Sequence, residues 1–208
     1  MKLAVFDFDS TLMNGETIDF LAKECGVEHK VATITASAMR GEIDFYESLK
    51  NRVKLLKGLS HARAKEICEN LPLHNGAKQI IQTLHKKGYK VVCFSGGFSL
   101  ATGHFAKVLG LDSHFSNILH IKNDTLSGEV GGEMMFSHSK GDMLVRLQKL
   151  LNISQQDTLC VGDGANDLSM FAHAGTKIAF CAKEILKQNA NVIIDEPNLC
   201  VIEKFLPH

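Results

Sequence analysis

Three short apolar runs set the frame of the chain. Residues 3–10 (LAVFDFDS), 89–97 (YKVVCFSGG) and 157–164 (DTLCVGDG) are β-rich stretches that stop abruptly in small and polar residues. Runs of this length without period-2 alternation fit strands buried on both faces, as in a parallel sheet. Two shorter strands are expected at 177–180 (KIAF) and 191–194 (NVII), on either side of the helical stretch AKEILKQNA. Ile80, Ile81 and Leu84 share one face of a helix predicted over 77–87, with Gly88 as its C-cap. Met143, Leu144, Leu147, Leu150 and Leu151 mark a second helix over 139–151.

Strands alternating with helices predict an α/β fold, a Rossmann-like parallel sheet with right-handed crossovers. One region breaks the alternation. From Gly15 to Leu71 the pattern is helical, interrupted only at Gly26, Gly41 and Gly58, and holds about four helices with no strand candidate. That is too much for one crossover. The expected organisation is an α/β core of residues 1–13 and 72–208, with a small helical cap inserted over 14–71. Residues 117–132 read as a β-hairpin flap turning at Asn123-Asp124.

Composition narrows the function. The 208 residues carry 23 lysines and arginines against 23 aspartates and glutamates, a formal charge of zero. No basic field is available for a nucleic acid or an anionic membrane, so neither is expected as a partner. An anionic ligand must be held by a few local groups. No stretch approaches the ~20 apolar residues of a membrane span, and the first ten residues lack a signal peptide's apolar run. The six cysteines are scattered without a CxxC pair, which fits free thiols in a cytoplasmic protein. Charge leaves monomer and homodimer both open.

Ligands of open α/β sheets bind beyond the carboxyl ends of the strands. Those ends carry Asp7 and Asp9, then Ser95-Gly96-Gly97, then Asp163, Asn166 and Asp167. Any one of these aspartates could simply cap a turn, but capping does not explain all of them ending strands together. Converging carboxylates repel one another unless protons or a metal compensate. A donor set of oxygens without sulfur or histidine suits a hard cation, above all Mg2+. In the Asp7/Asp9 pair, one carboxylate can attack phosphorus while the other moves protons. Ser95 and the following amides can cradle phosphate oxygens, although SGG triplets also form ordinary turns.

Three further charges stand out. Lys140 opens the 139–151 helix, against the macrodipole; it is either a solvent-facing lysine or the counter-charge of Asp7 and a phosphate. Arg52 lies on an apolar stripe with Phe45, Leu49 and Leu56, so it either snorkels or presents its fork to a ligand anion. Glu16 either favours the start of the first inserted helix or holds an ammonium group. An acid and an arginine on one lid match the two charged ends of an amino acid.

Four motifs in order resemble the haloacid dehalogenase superfamily: Asp7-Phe8-Asp9-Ser10-Thr11, Ser95-Gly96-Gly97 after a strand, Lys140, and Gly162-Asp163-Gly164-Ala165-Asn166-Asp167. Longer stretches (DFDSTLMNGETID, GEIDFYESLKNRVKLLKGL, VGDGANDLSMFAHAGTKIAFCAK) resemble the branch that dephosphorylates O-phospho-L-serine, across essentially the whole chain. The resemblance implies an aspartyl-phosphate mechanism with Asp7 as nucleophile and Asp9 as general acid/base. It implies magnesium on the Asp7 and Asp163 carboxylates and the Asp9 main-chain carbonyl, with Asp167 close by. Ser95, Gly96, Lys140 and Asn166 would contact phosphate or position the metal site. Glu16 and Arg52 would take the amino and carboxylate ends of phosphoserine, with Met39 and Phe45 lining the lid pocket. The family's N-terminal regulatory extension is not expected, since Asp7 stands so near the start. The resemblance leaves two rivals: a phosphatase or phosphotransferase for another small ester such as phosphothreonine or phosphohomoserine, and a phospho-accepting signalling module. An acid/base two residues after the nucleophile argues against the second, because it promotes turnover over storage.

Overall fold

The computed structural model describes residues 1–206. In chain order the core begins with β1 (Lys2–Asp7), and four helices follow: α1 (Thr17–Glu24), α2 (Glu28–Met39), α3 (Phe45–Lys54) and α4 (His61–Glu69). The chain then runs through α5 (Ala77–Lys86), β2 (Tyr89–Phe98), α6 (Ser99–Leu109), β3 (Ser113–Lys122), β4 (Thr125–Gly132) and α7 (Ser139–Leu151). It finishes with β5 (Thr158–Gly162), α8 (Leu168–Phe171), β6 (Thr176–Phe180), α9 (Glu184–Lys187) and β7 (Val192–Ile194), then a terminal 3-10 turn at Leu199–Phe205.

The strands form one sheet in the order β4-β3-β2-β1-β5-β6-β7, parallel except where β4 returns antiparallel along β3. The central strand explains its own sequence. Ala4 and Phe6 of β1 face one apolar core, with Ile80, Ile81 and Leu84 of α5 and Phe105 of α6. Leu3 and Val5 face the other, with Met143 and Leu144 of α7 and Met170 and Phe171 of α8. A strand buried on both sides has no polar face to alternate. Each fully buried side chain of this size contributes about 1.5–3 kcal/mol. The first core runs on into the four inserted helices through Leu21, Val31, Leu49, Val53 and Leu56.

The expected hairpin is present, and both turn residues take positive φ (Asn123 50°, Asp124 57°), as a two-residue turn matched to strand twist requires. Its first arm begins earlier than the pattern suggested, at Ser113, and extends the main sheet beside β2. The tip is tied to the inserted helices by backbone bonds: Gly58 N–H to Leu126 O (2.9 Å), Leu126 N–H to Leu59 O (2.8 Å) and His61 N–H to Asp124 O (2.8 Å). The two ends of the helical segment meet at a bridge between Met13 and Leu73. It is reinforced by Asn14 N–H to Pro72 O (2.8 Å) and His74 N–H to Leu12 O (2.9 Å).

A β-branched residue at Asp124 must bear the full left-handed penalty. Asp124→Val is expected to destabilise the protein by about 1–2 kcal/mol, while Asp124→Gly is neutral or better. Urea denaturation of both variants reads the difference; equal midpoints would refute it.

Candidate active site

The carboxyl ends of β1, β2 and β5 open into a cavity of about 850 Å³. Asp7 and Asp9 are at its floor because β1 ends in a tight turn over 8–12, closed by Met13 N–H to Phe8 O (2.9 Å). Ser10 bears the strain of that turn with φ of 57°. The turn also sends the two acids different ways. Asp7 Oδ1 accepts from Phe8 N–H (2.6 Å) and pairs with Lys140 Nζ (2.8 Å). Asp9 Oδ1 instead accepts both the N–H and the hydroxyl of Thr17, and Asp9 Oδ2 accepts from Ser95 Oγ (3.2 Å).

Lys140 is no solvent-facing lysine. Only 3% exposed, it reaches Asp167 Oδ1 (2.6 Å) as well as Asp7. Burial works against its charge, but Asp167 and Asp7 more than offset this and hold its pKa above the ordinary lysine range. Asp167 Oδ2 accepts the N–H groups of Asp163 (3.0 Å) and Gly164 (3.1 Å), so one carboxylate fastens the lysine to the loop after β5. Gly162 is required there: a Cβ would run into the Asp167 carboxylate.

One ammonium cannot neutralise this many acids. Asp7, Asp163 and Asp167 place a carboxylate oxygen each within 4.8 Å of one another, all buried. Burial, with the Asp167 charge next, pushes Asp7 well above the carboxylate range, and the same two causes raise Asp163 to about 6. Burial also raises Asp9, against the Thr17 bonds that pull it down. Buried oxygens held together at this cost fit a hard divalent cation.

The opposite wall is helical. Glu16, just before α1, accepts from Ser10 Oγ (2.9 Å), and burial, then Asp9 and Asp163, raise it to about 8. Arg52 of α3 lies in the same cavity, and burial depresses its pKa while Glu16, Asp19 and Asp9 push it up. Its Nε donates to Ser48 O (3.3 Å), and among the described residues it forms no ion pair. A guanidinium placed so can pair with a ligand anion. Phe45 covers Gly96 closely, whereas Met39 stands at the cavity's edge, 70% exposed. Asn166 Nδ2 approaches Asp7 Oδ2 at 3.4 Å.

All the residues singled out in the sequence therefore border one space or back onto it. Three neighbours carried no signal of their own: Thr17 on Asp9, Asp19 beside Arg52, and Lys183, whose Nζ lies 3.9 Å from Asp163 Oδ2. Each belongs to a segment that reads as an ordinary helix start or loop. Only the fold turns them inward.

A doubly wound sheet with acids, a buried lysine and a glycine turn at its strand ends is the architecture of a phosphoryl-handling α/β hydrolase. The haloacid dehalogenase-like hydrolase family matches residues 1–175, and the chain belongs to that family. Its relatives carry a narrower name. A phosphoserine phosphatase of Wolinella succinogenes is 59% identical over 199 residues, covering 96% of this chain and 97% of that protein. That of Methanocaldococcus jannaschii is 45% identical over 205 residues, covering 99% and 97%. Among solved structures, a phospho-aspartyl intermediate analogue of phosphoserine phosphatase superposes with a TM-score of 0.94 at 45% identity, covering 99% of each chain. A substrate-bound phosphoserine phosphatase complex superposes equally well, covering 99% of this chain and 98% of the other.

The raised acids fix a sign for stability. Between about 4, where unfolded carboxylates titrate, and about 8, the folded state holds protons the unfolded chain has released, so stability falls as pH rises. In chelator, the melting temperature is expected to drop from about pH 5 to about pH 8, and saturating Mg2+ should flatten that slope by replacing the protons. A slope indifferent to the cation would refute the reading of the acid cluster.

Proposed function

We propose that this chain hydrolyses O-phospho-L-serine to serine and phosphate through an aspartyl phosphate on Asp7. The observation that carries the proposal is one cavity with the acid pair at its floor and Glu16 and Arg52 on its helical wall. Phosphoryl chemistry thus faces a receptor for an ammonium and a carboxylate. The names of the relatives support the same substrate. The four helices between β1 and α5 act in this reading as a lid domain, residues 14–71, over a core of 1–13 and 72–208.

The Asp7 carboxylate attacks phosphorus as the ester oxygen leaves, and Asp9 gives that oxygen its proton. Asp9, now ionised, takes a proton from water, which attacks the phosphorus of the acyl phosphate and frees phosphate and Asp7. Thr17 occupies Asp9 Oδ1 with two donors, so the proton in transit belongs to Oδ2. Burial, which raises Asp9 above its ordinary value, favours the protonated form that the acid step uses. Lys140 offsets the charge of Asp7 and the incoming phosphate, Gly96 and Asn166 bind phosphate oxygens, and Ser95 stands beside them with its hydroxyl on Asp9 Oδ2. The Asp7 and Asp163 carboxylates and the Asp9 main-chain carbonyl would hold Mg2+, with Asp167 behind them, occupied by Lys140 and the loop amides. The cation, when bound, supplies positive charge to the phosphate and the acids. Glu16 takes the substrate ammonium, Arg52 its carboxylate, and Met39 and Phe45 enclose the rest. Binding energy is then drawn from the amino acid as well as from phosphate. Six unpaired cysteines suit a reducing compartment, and with it a cytoplasmic step of serine biosynthesis.

Phosphate release from O-phospho-L-serine in Mg2+ is the direct test, with phosphothreonine and p-nitrophenyl phosphate alongside. Strong preference for phosphoserine is expected, abolished by chelator and by Asp7→Asn; activity on the aryl ester alone would discard the substrate. Arg52→Ala should lower phosphoserine kcat/KM by about 100-fold while largely sparing p-nitrophenyl phosphate. Equal losses on both would sink the carboxylate role.

A further inference from the structure

The Ser95-Gly96-Gly97 turn is made by a slip in the sheet. β2 and β3 pair residue by residue up to Phe94 and Phe115, and pairing resumes at Phe98 and Asn117, four positions on along β2 but two along β3. The surplus residues bulge out of the ladder, bringing Ser95 to Asp9 and taking backbone carbonyls away from their usual partners. A buried carbonyl left unpaired costs about 1–3 kcal/mol. Asn117 supplies the partner. Its side chain is fully buried, Nδ2 donates to Gly96 O (3.0 Å) and Met134 O (3.1 Å), and Oδ1 accepts from Met134 N–H (3.0 Å).

The bond to Gly96 O reaches further than the carbonyl. That oxygen shares a rigid peptide plane with Gly97 N–H, and Gly97 N–H donates to Ser95 Oγ (2.9 Å). With that acceptor site taken, the Ser95 hydroxyl points its own proton at Asp9 Oδ2. Gly97 lies so close to that oxygen that a methyl group there would collide with it. A tilt of this one peptide therefore acts directly on Asp9. Through Met134 the same asparagine also ties the bulge to the connection that leads into α7 and Lys140.

We propose that Asn117 is a positioning residue of the reaction: it sets the Gly96–Gly97 peptide plane and, through Ser95, the orientation in which Asp9 Oδ2 gives and takes its proton. The inference rests on the acid/base reading of Asp9 and is independent of which alcohol the substrate carries. If that reading fails, Asp9→Asn keeps the parent's turnover, an outcome separate from any effect at Asn117.

Asn117→Asp keeps the shape and replaces both donors with acceptors, and Asn117→Ser shortens the side chain out of reach of Gly96. Each is assayed as the full chain with Mg2+ on p-nitrophenyl phosphate and phosphoserine, with circular dichroism melting in parallel. Nitrophenolate leaves without a proton, so acyl-phosphate formation survives while its hydrolysis, which needs Asp9 as base, slows. Steady-state kcat is expected to fall about 10- to 100-fold on both substrates, with KM for phosphoserine within about threefold of the parent. A burst approaching one nitrophenolate per enzyme should precede the slow phase. Steady-state kcat within about twofold of the parent would overturn the proposal, as would a loss without a burst. Failure of both variants to fold would reduce Asn117 to a structural residue and overturn it as well.

Discussion

Lys140 places its ammonium 2.8 Å from Asp7 and 2.6 Å from Asp167, where water hardly reaches. Charges this deeply buried are costly to desolvate, and the arrangement holds only because each member is tied on another side. Asp7 leans on the Phe8 amide at the end of β1, and Asp167 leans on two amides of the loop after β5. The lysine comes from the first turn of α7, on the face of the sheet that packs Met143 and Leu144. Three separate pieces of chain, the ends of β1 and β5 and the start of α7, are thereby locked at one point. Removing the ammonium would leave buried acids facing one another, which typically costs about 3–5 kcal/mol.

Floor and wall do different work. The floor is assembled from strand ends, whose positions the seven-stranded sheet fixes, and it carries groups suited to any phosphate ester. The wall belongs to α1, α3 and the turn before them, whose apolar sides share the first core with β1 and α5. Glu16 and Arg52 are half-buried, each with one side-chain hydrogen bond among the described residues, which leaves capacity that a ligand can complete.

Much of this was legible in the sequence, for definite reasons. The apolar runs ending in Asp7, Ser95 and Asp163 announced buried strands, and chemistry at their carboxyl ends follows from how such sheets are built. Arg52 stood out because a charge on an apolar stripe demands an explanation. What stayed hidden depends on pairing between distant segments. β3 looked like one arm of a surface hairpin because its link to β2 is a register between strands, which no local pattern encodes. Asn117 and Thr17 are ordinary polar residues until that register and the turn after β1 bring them to Gly96 and Asp9. Lys140 was ambiguous for the same reason: helix position told where it started and not what it reached.

The bridge between Met13 and Leu73 returns the chain to the core almost where it left. To the core, the whole helical insertion is a loop with its neck already closed, and doubling the length of such a loop costs only about 0.6 kcal/mol in closure entropy. Length alone therefore sets little limit on the insertion. Any replacement must still donate to Asp9 Oδ1 as Thr17 does and cover the apolar core that the inserted helices share with β1 and α5. The hairpin tip adds one condition, since it grips backbone at Gly58, Leu59 and His61 rather than particular side chains. A newcomer of almost any sequence satisfies that grip if it offers a few free amides and carbonyls at the right place. The fold is in this sense a socket: the strand ends hold the acids and the lysine, and the fitting completes the hold on Asp9.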